Sequence, residues 1–233
     1  AVAFGRFQEM LADYPAETLH ETIRDFHDTK KRLQALKNAV KEDVCHRASG
    51  VQKEINVALE HEEIADVFGD LLRKGELPLR VTHNDTKLNN VMIDLATGKG
   101  ICVVDLDTVM PGLAMNDFGD AIRFGASTAL EDEKDLSKVS CNMELYEAYV
   151  KGFLESCGDK LTRKEIELLP MGAKVMTYEC GIRFLTDYLE GDHYYKIDRE
   201  EHNLDRCRTQ FKLVKDMEQK WDIMQEIVHR YQK

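Results

Sequence analysis

Val81-Thr82-His83-Asn84-Asp85-Thr86-Lys87-Leu88-Asn89-Asn90 leads into the apolar triplet Val91-Met92-Ile93, and Ile101-Cys102-Val103-Val104 leads out into Asp105-Leu106-Asp107. Both apolar runs are rich in β-branched residues. Asp94-Leu95-Ala96-Thr97-Gly98-Lys99-Gly100 lies between them and has the composition of a turn. The pattern predicts a β-hairpin. A hairpin folds the chain back, so Asn90 before the first strand and Asp105 after the second meet at one end. Asp85 sits in the polar loop that enters the hairpin.

Singly, Asp85, Asn89, Asn90, Asp105 and Asp107 are ordinary turn and cap residues. As an ordered set they are the parts that phosphoryl transfer needs. One carboxylate orients and deprotonates a substrate hydroxyl, while an amide oxygen and another carboxylate hold Mg²⁺ on the phosphates of ATP. Mg²⁺ commonly takes one or two protein ligands and completes its shell with water and phosphate oxygens. His83 reads as a brace for the loop by hydrogen bonds rather than as the base.

His-x-Asp-x-x-x-x-Asn (His83, Asp85, Asn90), followed by an apolar strand ending Asp-x-Asp (Asp105, Asp107), resembles the catalytic core of the aminoglycoside phosphotransferase and choline kinase family, small-molecule relatives of the protein kinases. The resemblance implies Asp85 as catalytic base and Asn90 and Asp105 as metal ligands, with Asp107 assisting the metal or structuring the loop. The wording His-Asn-Asp-Thr-Lys-Leu-Asn-Asn, Asp-Leu-Asp-Thr-Val-Met-Pro-Gly (Asp105 to Gly112) and Asn116-Asp117-Phe118-Gly119-Asp120 is similar to the N-acetylhexosamine 1-kinase branch. Asp25-Phe26-His27-Asp28-Thr29 and Gly181-Ile182-Arg183-Phe184-Leu185-Thr186-Asp187-Tyr188 fit that branch too, so the resemblance runs over about residues 4 to 231. It implies ATP and Mg²⁺ as cofactors and phosphorylation of the anomeric hydroxyl of N-acetylglucosamine or N-acetylgalactosamine. An amino alcohol, a homoserine-like compound or an aminoglycoside stays open as acceptor, as does a non-catalytic kinase-like binding module.

The expected fold is α+β and mostly helical, the C-terminal lobe of a protein-kinase-like fold with a small catalytic β-hairpin, over residues 1–233. The family's N-terminal lobe, with its glycine-containing loop and Lys–Glu pair, has no counterpart before His83. No Gly-x-Gly-x-x-Gly or Walker A sequence occurs. The expectation is therefore that an ATP-gripping lobe lies outside this chain. On the substrate side, Arg183 and Asp187 lie four apart on one helix and share a face. Their bland reading is a surface ion pair. Tyr194 follows in a loop, where aromatic residues serve ligands. Tyr178, Glu179 and Trp221 are further candidates by fold analogy, with Trp221 favoured as a core residue. Asp117 and Asp120 are expected to hold the catalytic loop from behind, or else to act as caps.

The net charge of −11 (32 Lys and Arg against 43 Asp and Glu) argues against nucleic-acid binding, which wants a basic face. Apolar runs are only a few residues long, against the roughly 20 that span a bilayer. The six cysteines are widely spaced and include no Cys-x-x-Cys, which fits a reducing cytoplasm and no zinc site.

Elsewhere the chain reads as helices. A stripe of Phe4, Phe7, Met10 and Leu11 stops near Pro15. Thr18-Leu-His-Glu21 has capping-box spacing and predicts a new helix carrying Ile23 and Phe26. Leu33 and Leu36 continue an apolar face. One helix is expected over 51–73, then a strand from Leu79 to Thr82 and a turn at Pro111-Gly112. Asn116 or Asp117 is placed to cap a helix with Ile122 and Phe124. A charged loop covers 130–140. Further helices are expected around Leu145–Leu154, from the capping box Thr162-Arg-Lys-Glu165 through Tyr188 with a break near Pro170, and over 199–231.

Overall fold

The computed structural model describes residues 1–232. The hairpin forms where the sequence places it: β2 (Val91–Ile93) pairs antiparallel with β3 (Gly100–Val103), Val91 opposite Val103. The turn is closed by Asp94, whose carboxylate accepts from the amides of Ala96 and Thr97. A second antiparallel pair joins β1 (Arg80–Thr82) to β4 (Met110–Gly112), with Val81 opposite Pro111. Pro111-Gly112 is thus strand, not the expected turn. Proline is tolerated in so short a ladder because its missing N–H faces outward at an edge. A Cβ at Gly112 would collide with Thr82 Oγ1, so glycine lets the two strands meet.

Among the described residues the remaining regular structure is helical, apart from one isolated bridge between Ser127 and Cys141. The α-helices are α1 (Val2–Met10), α2 (Thr29–Glu42), α3 (Gln52–Glu60), α4 (Val67–Arg73), α5 (Ala114–Gly125), α6 (Met143–Cys157), α7 (Arg163–Glu167), α8 (Leu169–Glu190), α9 (His202–Gln219) and α10 (Trp221–Tyr231). The fold is a mostly helical α+β architecture with small antiparallel hairpins. The capping box at Thr162 is present, Pro170 occupies the first turn of α8, and Gly191 ends that helix with φ of 108°. The left-handed conformation there is one that glycine adopts without cost.

Helix α8 is buried on nearly every side, as expected of a helix apolar all round. One core forms where it meets α5, α6 and α10 around Phe118, Tyr146, Phe153 and Met224. A second forms where it meets α2, α3 and α9 around Leu36, Tyr178, Leu185 and Leu204. The crossing with α5 is set by two glycines: a Cβ at Gly119 would strike the Gly172 carbonyl, and one at Gly172 would strike the Met115 carbonyl. Backbone cannot yield as a side-chain tip does. Gly119→Ala is therefore expected to cost about 1–3 kcal/mol through overpacking, read as a lower midpoint in urea unfolding.

Three helix expectations need correction. Residues 19–28 do not form the helix predicted from Thr18. Residues 16–18 make a 3₁₀ turn, and the segment beyond bonds to distant groups instead: Thr22 Oγ1 donates to the Asp107 carbonyl (3.1 Å) and the Ile23 amide to Met110 Sδ (3.3 Å). The next helix starts at Thr29, capped by Asp28, which accepts from the Lys31 amide. The run over 51–73 breaks at His61, whose ring bonds back to the Val57 carbonyl (2.8 Å), and a 3₁₀ turn at Glu62–Asp66 separates α3 from α4. The last helix starts at His202 and breaks at Lys220, whose ammonium reaches Ser140, the Cys141 carbonyl and Asp216. Met10 and Phe124 are exposed, so they lie off the apolar faces on which the sequence placed them.

Candidate active site

The loop between β1 and β2 is fixed from below by the first turns of α5. Asp117 was expected as a cap or a loop support. Leu113 holds the N-cap position, and the Asp117 carboxylate turns back to accept from the amides of His83 (2.9 Å) and Asn84 (2.7 Å) and from Gln8 Nε2 (2.6 Å). Burial pushes this carboxyl upward in pKa, and the His83 and Asn84 amides pull the other way without fully offsetting it. Asp120, one turn on, accepts from the Thr86 amide (2.8 Å), and Arg123 secures Asp120 in turn.

His83 is fully buried. Its Nε2 faces the Val104 carbonyl (2.9 Å) and its Nδ1 accepts from the Asp85 amide (3.3 Å), so the proton belongs on Nε2. The edges of Phe4 and Phe7 pack on the ring. Asn84 adopts φ of 65°, a left-handed conformation that Asn tolerates, and its amide group reaches the Thr108 carbonyl (2.9 Å). Thr108 Oγ1 returns a bond to the His83 carbonyl (2.6 Å). The loop bearing Asp85 and the turn bearing Asp105 are thereby tied together.

Asp85 is partly exposed. Its Oδ2 forms an ion pair with Lys87 Nζ (2.7 Å) and accepts from Asn90 Nδ2 (2.9 Å), and its Oδ1 makes no hydrogen bond among the described residues. Asn90 also donates to the Asp85 carbonyl (2.8 Å). With its nitrogen committed to Asp85, Asn90 has Oδ1 to offer. The Val104 amide donates to the Asn90 carbonyl (3.0 Å), which brings the residue before Asp105 against Asn90. Asp105 is exposed with φ of 63°. Among the described residues its carboxylate forms neither a hydrogen bond nor an ion pair. Asp107 follows on a 3₁₀ turn and is likewise exposed, bonded only through its carbonyl.

On the substrate side the candidates separate. A cavity of about 170 Å³ is lined by Arg32, Arg183, Thr186, Asp187, Tyr194 and Tyr195, among others. The Arg183 guanidinium lies 5.5 Å from the Phe26 ring, 5.7 Å from Tyr194 and 5.6 Å from Tyr195. It makes a long bond to Tyr194 Oη (3.5 Å) and no ion pair among the described residues. Asp187 does not pair with it. Its carboxylate accepts from the amides of His193, Tyr194 and Tyr195 and from Asn203 Nδ2, so it shapes the wall and has little left for a ligand. Tyr178 is buried with its hydroxyl on the Ala58 carbonyl, and Trp221 lies beneath Lys174; neither faces this cavity. Glu179 holds His27 and Thr29. A larger cavity, about 450 Å³, lies between residues 21–31, α4 and β4; it includes Asn84 but not Asp85, Asn90, Asp105 or Arg183.

The sequence profile of the phosphotransferase enzyme family matches residues 1–158. The chain belongs to that family. Its fold is similar to the crystal structure of choline kinase from Cryptosporidium parvum Iowa II, with a TM-score of 0.54 at 15% identity. The match covers 97% of this chain and 66% of that one, so the chain spans just under two thirds of the solved structure.

For a chain of this family the donor set bears on Mg²⁺. Among the described residues no cluster of three or more His, Cys, Asp or Glu forms a cage. What the hairpin's end offers is the Asn90 amide oxygen and the Asp105 carboxylate, both hard oxygen donors without a protein partner. That small number suits an ion that keeps several waters and phosphate oxygens, so the residues fit. Among the described residues no helix is long and apolar enough to cross a membrane. Sequence reasoning passed over two residues of the site. Lys87 pairs with Asp85, and its place two residues on, in the same loop, was the available signal. Gln8 reaches Asp117 across 109 residues, and nothing local announces that.

Proposed function

We propose that this phosphotransferase moves the γ-phosphoryl group of ATP to a small-molecule hydroxyl, with the anomeric hydroxyl of N-acetylglucosamine or N-acetylgalactosamine as leading acceptor. Asp85 Oδ1 carries the reading: a carboxylate oxygen without a protein donor, on a loop that Asp117, Asp120 and Thr108 hold rigid. Asp85 takes the hydroxyl proton as the sugar oxygen attacks the γ-phosphorus and the bond to ADP breaks. Lys87 and Asn90 keep the other carboxylate oxygen in place, and Lys87 offsets negative charge gathering at the transferred group. Asn90 and Asp105 would hold Mg²⁺, which supplies charge neutralisation on the ATP phosphates. Asp107 sits close enough in sequence to assist. The rest of the ATP grip we assign to a further lobe outside these residues.

Arg183 and Tyr194 form the proposed sugar contact. A guanidinium framed by three rings and lacking an ion-pair partner favours neutral or anionic oxygen ligands at its own end of the cavity, which Glu190 also lines. That observation ranks an acetylated sugar above an amino alcohol or aminoglycoside, even though the chain is acidic overall. Removing one hydrogen bond to a charged group costs about 1.5–3 kcal/mol. Arg183→Ala should therefore lower kcat/KM for the sugar by about 10- to 100-fold, mostly through KM. The test is steady-state ADP release by the full-length protein with N-acetylglucosamine, N-acetylgalactosamine, choline, homoserine and kanamycin. Turnover confined to a cationic acceptor, or indifferent to Arg183, would overturn the sugar assignment.

A further inference from the structure

We propose that His27 is a positioning residue, a buried imidazolium that clamps the catalytic loop at Asn84 to Glu179 of α8. Its catalytic consequence rests on the kinase reading above; its structural part does not. His27 Nδ1 lies 2.8 Å from Glu179 Oε1 and Nε2 lies 3.2 Å from the Asn84 carbonyl. A carboxylate and a carbonyl are acceptors only. A neutral ring carries one N–H and would turn a lone pair toward one of them, whereas an imidazolium donates to both. Both side chains of the pair are almost wholly buried, at 8% and 1% exposure, so a broken contact would not be replaced by bulk water.

The surroundings support the charged ring. Glu179 Oε2 accepts from Thr29 Oγ1 (2.6 Å), which orients the carboxylate. Charged groups facing the ring are Glu179 and Arg183 from α8 and Asp120 from α5. Burial alone would lower the His27 pKa, but attraction and hydrogen bonding by Glu179 outweigh it and the net direction is upward. For Glu179 burial raises and His27 lowers, with the net direction downward. Both shifts favour the ion pair. Asn84 precedes Asp85 and adopts a left-handed conformation, so the orientation of its carbonyl sets the course of the chain into the base. His27 also lies near the end of the irregular segment 19–28, with its ring against that of Phe26, which lies under Arg183. One ring thus links the loop bearing the base to the wall bearing the sugar contact.

The sign of the pH dependence follows. A group with a raised folded pKa contributes fully below its unfolded value and loses that contribution as pH rises through the folded value. The clamp should therefore open on the alkaline side, above the ordinary histidine value of about 6.5. The experiment uses the full-length protein with ¹⁵N-labelled histidine. It follows the His27 ring nitrogens by NMR and the Asn84, Asp85 and Thr86 amides by hydrogen exchange, corrected for intrinsic base catalysis, across pH. Expected are a doubly protonated ring beyond 6.5, loop protection that falls as the ring loses its proton, and no such step in His27→Gln. Turnover adds a second readout: kcat of His27→Gln should fall about tenfold with KM changed less than about twofold, and its alkaline limb should flatten. A ring that titrates at or below 6.5, or loop protection indifferent to its state, overturns the clamp. The wild-type measurement decides even if His27→Gln fails to fold. Absence of turnover in the wild type would instead strike the kinase reading, because the NMR readout needs no substrate.

Discussion

Asp85→Asn should lower kcat by about 10²- to 10⁴-fold, the usual size of a general-base contribution, and leave folding nearly unchanged. The variant keeps the shape of the side chain. Its Oδ1 can still accept from Asn90, so the loop retains its wiring. What is lost is the basic oxygen: an amide cannot take the hydroxyl proton during attack. The ion pair with Lys87 goes as well, but both partners are about one-third exposed and such a pair contributes roughly 0–1 kcal/mol. Stopped-time ADP assays give the kinetic loss, and thermal melting should show only a small shift. A variant that turned over like the wild type would remove Asp85 from the mechanism.

Asp117→Ala should be the costliest single change to stability in the site, about 3 kcal/mol or more. The carboxylate satisfies the buried amides of His83 and Asn84 and the Gln8 side chain at once. Alanine leaves all three donors without a partner, and each buried orphan costs about 1–3 kcal/mol, less than additively when neighbours relax together. For a chain of this size that corresponds to a melting-temperature drop of roughly 10 °C. The folded fraction should also turn over more slowly, since the amides released belong to the two residues before Asp85. Calorimetry of the variant checks this. A melting temperature within two or three degrees of wild type would mean that the loop is held by Thr108 and His83 instead.

The features that could be read from the sequence are those set by neighbours along the chain. The hairpin was legible because two β-branched runs flank a Gly-rich turn, and so was the Thr162 box. The segment 19–28 was not legible. Its partners are Asp107, Met110, Asn84 and Glu179, all distant in sequence, and they outweigh a local capping pattern. At the breaks, His61 and Lys220 each also reach a distant group, Glu218 and the Cys141 carbonyl, that no local period reveals. In the site, the order of Asp85, Asn90 and Asp105 pointed to the chemistry. The helical spacing of Arg183 and Asp187 pointed to a shared face but not to their separate fates. Asp187 is claimed by three loop amides and Asn203, and Arg183 by three aromatic rings.

The most direct test of the central claim is ³¹P NMR of the full-length protein with Mg·ATP and each acceptor, run beside Asp85→Asn. The account predicts ADP together with a new phosphate ester resonance, split by the anomeric proton when the acceptor is N-acetylglucosamine or N-acetylgalactosamine, and neither product with the variant. ATP left intact with every acceptor, or the same ester formed as fast by Asp85→Asn, would contradict it.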